Sequence, residues 1–135
     1  MENTMVYEKL GDMSARYSAG IVKAVNTILS YDIDGLRSIV LFGSCARLNI
    51  HVGSDIDLLV VTKDHIIDRI LKSEIRNDVE KLPSGLAADV VFSTVDMLNN
   101  SDQRLYKDIR IQGIILWKDG EFTDDYEQLL YACQK

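Results

Sequence analysis

The sequence predicts an α/β (α+β) fold, in which a small mixed β-sheet is flanked by helices. Two observations support this prediction: four short apolar runs have the length of buried strands, and segments with apolar residues every three or four positions, typical of amphipathic helices, separate them. The four runs cover residues 38–42, 55–61, 86–92 and 114–117. A chain of 135 residues has the length of one domain, so residues 1–135 are interpreted as a single domain.

The N-terminal half begins with a predicted helix over residues 5–30, whose apolar residues recur at steps of three and four. The sequence Asp32-Ile33-Asp34-Gly35 has the composition of a turn. A first strand follows over 38–42, and a brief helix over 44–48. After a short loop, the second strand covers 55–61, where a nearly continuous apolar sequence indicates burial on both faces.

In the C-terminal half, Asp64 is predicted to cap a helix that continues to Leu82. The sequence Pro83-Ser84-Gly85 then ends that helix. The remaining predicted elements are a strand over 86–92, a helical turn to residue 99, a helix over 102–112, a strand over 114–117 and a helix over 123–133.

The most informative motif joins the first two strands. It consists of Gly43-Ser44, ten further residues, and Asp55-Ile56-Asp57. Because side chains alternate along a strand, Asp55 and Asp57 point to the same face. Two such carboxylates suit Mg²⁺, which usually takes water and substrate phosphate as its other ligands. Gly43 allows a phosphate to approach the backbone closely, and Ser44 adds a hydroxyl and an amide donor. The motif therefore indicates a nucleoside triphosphate site.

Asp89 is a third candidate, because it interrupts the apolar run of residues 86–92. A carboxylate buried in such a strand needs a partner. If this strand lies beside the Asp55 and Asp57 strand, at the usual spacing of about 4.8 Å, all three carboxylates can face one point. The plainer interpretations are that Asp55 and Asp57 are solvated at the start of a strand, and that Asp89 accepts hydrogen bonds from nearby amides.

These residues resemble the minimal nucleotidyltransferase family of the DNA polymerase β-like superfamily. The family pattern is a hydrophobic residue with Gly-Ser, a loop, Asp-hydrophobic-Asp, and a later single Asp on a strand. The matching parts are Phe42-Gly43-Ser44, Asp55-Ile56-Asp57 and Asp89, and the resemblance covers roughly residues 10–120. The family often continues Ser-Arg-Ala-Arg-Gly where this chain has Ser44-Cys45-Ala46-Arg47-Leu48, so only the second arginine is kept.

The resemblance implies a polymerase β-like nucleotidyltransferase fold and Mg²⁺-dependent transfer of AMP from ATP to an acceptor hydroxyl. The implied site residues are Asp55, Asp57 and Asp89 as catalytic ligands of two Mg²⁺ ions, and Gly43, Ser44 and Arg47 as contacts of the nucleoside triphosphate. From the sequence alone, Arg47 fits an ordinary surface arginine almost as well.

The resemblance also implies a partner. Minimal nucleotidyltransferases often pair with a helical HEPN protein, and some are antitoxins that adenylylate a HEPN toxin. The Gly-Ser-ten-Asp-x-Asp spacing matches that group, which makes a hydroxyl of a HEPN toxin the expected acceptor. Two alternatives stay open. One is an aminoglycoside-type small-molecule nucleotidyltransferase, and the other is a non-catalytic antitoxin that neutralises its partner by contact alone.

Composition narrows the classes of protein to which the chain can belong. The formal net charge of −6 argues against direct nucleic-acid binding, which depends on cationic surface. The two cysteines, Cys45 and Cys133, do not make a disulfide framework. No apolar stretch approaches the roughly 20 residues of a membrane span, and the N-terminus lacks the features of a signal peptide. The expected location is the cytoplasm, and a homo-oligomer is left open.

The last segments carry more apolar residues than one small sheet can bury. These residues are Ile114, Leu116, Trp117, Phe122, Leu129, Leu130 and Tyr131. A large exposed apolar patch usually marks a binding site, so we expect this region to contribute a surface for a protein partner.

Overall fold

The computed structural model describes residues 14–47, 55–65, 67–80 and 86–133. Within these ranges the chain forms six helices and a single five-stranded sheet. The helices are α1 (Ala15–Leu29), α2 (Gly43–Ala46), α3 (Arg69–Glu80), α4 (Val95–Asn100), α5 (Arg104–Gln112) and α6 (Asp124–Cys133). The strands are β1 (Leu36–Phe42), β2 (Ile56–Thr62), β3 (Ala88–Thr94), β4 (Ile114–Lys118) and β5 (Glu121–Phe122). The predicted fold class is confirmed.

The sheet is mixed, with the strand order β3-β2-β1-β4-β5. β1 lies antiparallel to both β2 and β4, and β4 is antiparallel to β5. β2 and β3 are parallel, which requires a crossover connection, and α3 lies in that connection. The segment from β2 to β3 is therefore a βαβ unit at one side of the sheet.

One face of the sheet, here called the α1 face, carries the larger core. Ile39 and Leu41 of β1 point to it and are fully buried. α1 covers this face with Ile21, Val25 and Ile28, which recur at helical spacing and are also fully buried. Burying an aliphatic side chain of this size contributes about 1.5–3 kcal/mol, so α1 is held mainly by this stripe.

α3 and α6 complete the α1 face and are tied to α1 by tyrosines. The Tyr126 hydroxyl of α6 donates a hydrogen bond to Asn26 Oδ1 at 3.1 Å. The Tyr31 hydroxyl, just after α1, lies 3.2 Å from the Glu74 carbonyl oxygen of α3 and also contacts the Asp78 carboxylate. The hydrogen bond to Asp78 is the main reason that the pKa of Tyr31 is raised to about 12.

The opposite face, here called the α5 face, carries a smaller core of Val40, Leu59 and Val61 covered by α4 and α5. The Tyr106 hydroxyl of α5 makes a buried hydrogen bond with Ser93 Oγ at 2.8 Å. This bond joins α5 to β3 across the face.

Gly113 is the single residue between α5 and β4, and its position leaves no space for a side chain. A Cβ atom there would lie 2.6 Å from the Ile109 carbonyl oxygen and 2.9 Å from Val40 Cγ1. Such contacts are too close for any other residue without a shift of the helix. Because glycine has no side chain, the C-terminal end of α5 can pack closely against β1 at this position.

β3 is an edge strand of the described sheet, and an arginine of α3 covers part of its open edge. Arg76 Nε donates a hydrogen bond to the Val90 carbonyl oxygen at 3.1 Å. The guanidinium carbon of Arg76 lies 5.2 Å from the centroid of the Phe92 ring. Because unpaired strand edges invite pairing with other chains, this arginine protects the edge.

The structure corrects the start of the third predicted helix. α3 begins at Arg69, and the Lys72 backbone amide donates to the Asp68 carbonyl oxygen, so Asp64 is not the cap. Residues 63–65 instead form a bend in which the Asp64 carboxylate lies 3.3 Å from His65 Nδ1. The Thr62 hydroxyl holds this bend through the His65 carbonyl oxygen. The predicted helix end at Leu82 lies outside the described residues.

The other differences are smaller. β1 begins at Leu36, two residues before the predicted strand, and β5 is an additional strand that the sequence analysis did not predict. The predicted helix over residues 5–30 corresponds to α1 from Ala15 onward, and its first nine residues fall outside the described part of the chain. Within the described ranges, no helix is both long enough and apolar enough to cross a bilayer.

The apolar surface expected from the last segments is only partly present. Leu116 and Leu129 are fully buried in the α1-face core. Phe122 is 45% exposed, Tyr131 is 63% exposed, and Leu130 is 37% exposed. The surface is therefore narrower than predicted and consists of one side of α6 together with β5.

Candidate active site

The pairing of three strands places two of the candidate carboxylates side by side. In the antiparallel pair, Phe42 of β1 lies opposite Asp57 of β2. In the parallel pair, Asp57 lies opposite Asp89 of β3. Paired residues on neighbouring strands share a face and lie about 5 Å apart. Asp57 and Asp89 therefore project together from the α5 face, at the end of the sheet where β1 ends and β2 begins.

Asp55 is next to this pair but differs from it in position. It precedes the first residue of β2 and is exposed, and its charge acts on both Asp57 and Cys45. Asp89 is also exposed, although the apolar run around it predicted a buried strand. The difference arises because β3 lies at the edge of the sheet, so that only one side of the Asp89 position is closed by a neighbouring strand. We call Asp55, Asp57 and Asp89 the carboxylate cluster.

Asp57 is the partly buried member of the carboxylate cluster. Its pKa is raised to about 6, chiefly because burial penalises the charged form and then because Asp89 and Asp55 repel a third negative charge. Arg47 opposes these effects and favours the charged form of Asp57. The charged form of Asp57 is therefore less favoured than that of an ordinary aspartate in water.

Gly43 is the point where the backbone closes on this cluster. Its φ of +74° lies in the left-handed region that favours glycine. A Cβ atom at Gly43 would lie 2.2 Å from Asp57 Oδ2, which is a severe overlap. Only glycine allows both this turn and this position of the Asp57 carboxylate. Ser44 follows directly, in the first turn of α2, and is partly buried.

Cys45 is buried beneath the turn and supports the start of β2. Its Sγ donates to the Asp55 carbonyl oxygen at 3.4 Å. Burial, followed by the charges of Asp57 and Asp55, raises its pKa to about 11. The raised pKa favours the neutral thiol, which is the less nucleophilic form.

Arg47 is exposed at the end of α2 and lines a cleft of about 180 Å³ beside the carboxylate cluster. The other lining residues are Phe42, Gly43, Leu105, Asp108, Ile109 and Gln112. Four of these belong to α5, which the sequence analysis had not connected with the site. The sequence does contain one signal of this proximity. Only Gly113 separates α5 from β4, and because β4 pairs with β1, the end of α5 must lie close to β1.

The carboxylate cluster fits a divalent cation that is completed by its substrate. Within the described ranges, no three side chains of His, Cys, Asp or Glu converge closely enough to form a metal site by themselves. Mg²⁺, however, is usually held by one or two carboxylates, with water and substrate phosphates in the other positions. A cation here would also relieve the repulsion that raises the pKa of Asp57. Asp55, Asp57 and Asp89 are the residues that would hold it.

Comparison with known families gives this fold its class. The sequence matches the family model "Polymerase beta, Nucleotidyltransferase" over residues 23–121, which is more than half of the chain. The chain therefore belongs to the polymerase beta nucleotidyltransferase family, and the resemblance inferred from the sequence is confirmed. A search of curated proteins by sequence found no match.

Several solved structures share the fold. A chain of a toxin–antitoxin complex with AMP-PNP is 27% identical, with a TM-score of 0.54 over 87% of this chain and 82% of that one. A mutant of the toxin–antitoxin pair MntA-HpeT is 26% identical, with a TM-score of 0.53 over 87% and 81%. A complex of the tri-AMPylated Shewanella oneidensis HEPN toxin with its MNT antitoxin is 22% identical, with a TM-score of 0.50 over 85% and 82%. At that identity, the last similarity shows the fold alone.

Proposed function

We propose that this chain is a single minimal nucleotidyltransferase domain that uses Mg²⁺ to transfer AMP from ATP to a hydroxyl of a partner protein. The observation that carries the proposal is the pairing of Asp57 with Asp89 in the parallel strands. This pairing brings carboxylates from two distant parts of the sequence to one point, directly beside the Gly43 turn. The partly buried Asp57 carboxylate is repelled by its neighbours, and a bound cation would offset that repulsion.

In this proposal some site residues bind the nucleotide and others serve the acceptor hydroxyl. The turn at Gly43 and Ser44 receives the β and γ phosphates, and Arg47 contacts the same phosphates from the rim of the cleft. Asp55 and Asp57 would hold two metal ions, and Asp89 would help to hold the second of them. When bound, Mg²⁺ neutralises phosphate charge and lowers the pKa of the acceptor hydroxyl. The two ions, ATP and the residue roles are all parts of this proposal.

The transfer itself is an in-line displacement. The acceptor oxygen forms a bond to the α-phosphorus of ATP, the bond from that phosphorus to the bridging oxygen breaks, and pyrophosphate leaves with the electron pair. The hydroxyl proton is released to water. The contribution of the chain is to position the reactants and to place charge correctly. Cys45, whose pKa is raised to about 11, takes no part in the transfer.

The proposed acceptor is a helical HEPN toxin, which makes this chain an antitoxin. Two similar structures are toxin–antitoxin complexes, one of them with AMP-PNP, and the sequence motif resembles antitoxins that pair with HEPN toxins. The chain also presents exposed apolar side chains at Ile111 on α5 and Phe122 on β5, as a protein partner would require.

Intact mass spectrometry tests this proposal. The chain is incubated with ATP, Mg²⁺ and the product of the neighbouring gene, and the expected result is a partner heavier by one or more AMP units. Asp57→Asn should abolish the gain, whereas Asp34→Asn, which removes an exposed carboxylate in the turn before β1, should not. Equal transfer by Asp57→Asn would refute the assigned site.

The same experiment separates the alternatives. AMP found on an aminoglycoside, with no modification of the partner, would support a small-molecule nucleotidyltransferase. Neutralisation of the toxin by Asp57→Asn, without any AMP transfer, would support a non-catalytic antitoxin that acts by contact.

A further inference from the structure

A second cavity lies on the α5 face, at the end of the sheet opposite the carboxylate cluster. Its volume is about 500 Å³, larger than that of the cleft beside Arg47. Val61, Val95, Leu98 and Ile115 give it an apolar floor, and Arg37, Lys63, Lys118 and Asp119 surround its opening, with Ser38 and Asn99 completing the lining. We call it the distal pocket.

Strand register shows that the distal pocket is separate from the carboxylate cluster. Ser38 of β1 lies opposite Val61 of β2 on one side and opposite Lys118 of β4 on the other. These three residues form a row across the α5 face, as Phe42, Asp57 and Asp89 do at the other end. Val61 comes four residues after Asp57 along β2, so the two rows are about 13 Å apart.

The charges around the distal pocket are opposite to those of the molecule as a whole. Three cationic side chains, Arg37, Lys63 and Lys118, line the opening with one carboxylate, Asp119. The Arg37 guanidinium and the Asp119 carboxylate are 3.9 Å apart and both are largely exposed, so this pair neutralises only one of the three positive charges. A local excess of positive charge in a chain of net charge −6 favours an anionic ligand at this position.

The size of the distal pocket suits a small-molecule ligand. A volume of about 500 Å³ lies within the range of small-molecule sites. An extended peptide or a helix would need a groove that continues beyond one concave floor. The apolar floor suits a flat ring, and the cations suit a phosphate group carried by the same molecule.

We propose that the distal pocket binds a small molecule that carries both an aromatic ring and a phosphate group, such as a nucleoside monophosphate. The ring lies on Val61, Leu98 and Ile115, while Lys63 and Lys118 contact the phosphate. Binding at the distal pocket requires neither the carboxylate cluster nor a metal. This proposal can therefore be tested independently of the nucleotidyl transfer proposed above.

The test uses AMP, adenosine and inorganic phosphate as three probes, each titrated in EDTA so that metal-dependent binding at the carboxylate cluster is suppressed. Binding is followed by calorimetry and by amide chemical shifts. The variant is Lys63→Glu with Lys118→Glu. The control is Lys23→Glu with Lys72→Glu, which changes the net charge equally but lies on α1 and α3, on the other side of the sheet. Thermal unfolding of both variants confirms that the fold is intact.

We expect AMP to bind and to shift the amide signals of Val61, Leu98 and Ile115. Its affinity should fall by about tenfold or more in the Lys63→Glu, Lys118→Glu variant, because each lost phosphate contact is replaced by a repulsive charge, and it should change little in the control. Adenosine and phosphate should each bind more weakly than AMP, because each keeps only half of the contacts.

Four results would overturn the proposal. The first is AMP binding that does not saturate, and the second is an equal loss of affinity in both double variants, which would indicate general electrostatics. Shifts confined to Gly43 and Asp57 would place AMP at the carboxylate cluster. Phosphate binding as tightly as AMP would show that the floor plays no part.

Discussion

Asp57 is a side chain whose charged form is disfavoured by folding, although it lies within the carboxylate cluster. It lies between Asp55 and Asp89, and its pKa is raised to about 6 by burial and by those two charges. The folded chain therefore binds a proton at Asp57 more tightly than the unfolded chain does. Its contribution to stability is fully present below about pH 4, the ordinary pKa of an aspartate, and is lost as the pH rises through about 6. This is opposite to the usual behaviour of an aspartate.

The first prediction concerns the stability of Asp57→Asn in EDTA. Above about pH 7 the free energy of unfolding of the variant should exceed that of the native chain by about 1 kcal/mol, a value that allows for the partial exposure of the Asp57 side chain. The variant should therefore unfold at a higher denaturant concentration. The difference should shrink to nothing near about pH 4. Asp34→Asn corrects for the loss of one negative charge from an acidic chain. A native chain as stable as Asp57→Asn at alkaline pH would contradict this prediction.

The second prediction concerns Gly43, where two constraints coincide. In Gly43→Ala the positive φ should lower the free energy of unfolding by about 1–2 kcal/mol. The overlap with Asp57 Oδ2 should lower it further. Nucleotidyl transfer should be lost because the Asp57 carboxylate is displaced. Gly120→Ala is the matched control, because Gly120 has a φ of +93° and, apart from its chain neighbours, no described residue has an atom within 4 Å of the point that a Cβ would occupy. It should show the backbone cost alone, with transfer retained. Urea unfolding and the AMP-transfer assay give both readouts, and equal effects of the two substitutions would count against the proposed role of Gly43.

At the scale of elements, α3 connects the site to the edge of the sheet. It provides the crossover that makes β2 and β3 parallel, and it supplies Arg76, which covers the outer edge of β3. β3 carries Asp89, so a second strand added at this edge would lie next to the carboxylate cluster. α3 therefore contributes both to the crossover between β2 and β3 and to the cover of the β3 edge.

The third prediction tests that protection. Arg76→Ala should lower stability by about 1–2 kcal/mol, through the hydrogen bond to Val90 and the contact with Phe92. It should also increase self-association, because the edge of β3 becomes available for pairing. Arg69→Ala, an exposed arginine at the start of the same helix, is the control. Sedimentation velocity over a concentration series measures the association, and monomeric behaviour of Arg76→Ala would exclude edge protection as its role.

At the scale of the whole molecule, the α5 face separates charge along the strands. The carboxylate cluster lies at one end of β1 and β2, and the cations of the distal pocket lie at the other. The α1 face, by contrast, is closed by α1, α3 and α6 around the larger core. The α1 face therefore buries the larger core, and the α5 face carries both of the proposed ligand sites.

The fourth prediction uses two exposed isoleucines that belong to opposite faces of the sheet. Ile111 on α5 is 80% exposed, on the helix that forms a wall of the cleft, and Ile70 on α3 is 69% exposed. If the partner docks around the carboxylate cluster, Ile111→Ser should raise the KM for the partner roughly tenfold, equivalent to about 1.4 kcal/mol. Ile70→Ser should leave that KM unchanged. A common effect of the two substitutions would place the docking surface elsewhere.

Much of the fold could be predicted from the sequence, because its signals are local. The apolar runs identified four strands, and the pattern around Gly43, Asp55 and Asp57 identified the family. The start of α3 was missed because the Thr62 hydroxyl, at the end of a strand, holds a bend that composition does not reveal. β5 was missed because two residues give no periodicity.

The assembly of the site is harder to predict, because it depends on pairing. Nothing in the run 86–92 shows that β3 is an edge strand, and this is why Asp89 is exposed. The distal pocket requires the register of three strands, including a shift between Ile39 and Val40 where β1 meets β4. Lys63 and Lys118 lie far apart in the sequence, and they line the same pocket only because of that register. The roles of the six candidate site residues remain predictions.

The pairing of Asp57 with Asp89 has a consequence for how the chain can change in length. One residue inserted within β3, ahead of Asp89, would turn that carboxylate from the α5 face into the apolar core behind the sheet. Residues added to the connection between α3 and β3 would leave the pairing intact, because loop closure costs little per added residue. Insertions and deletions in related sequences should therefore accumulate in that connection and be excluded from β3.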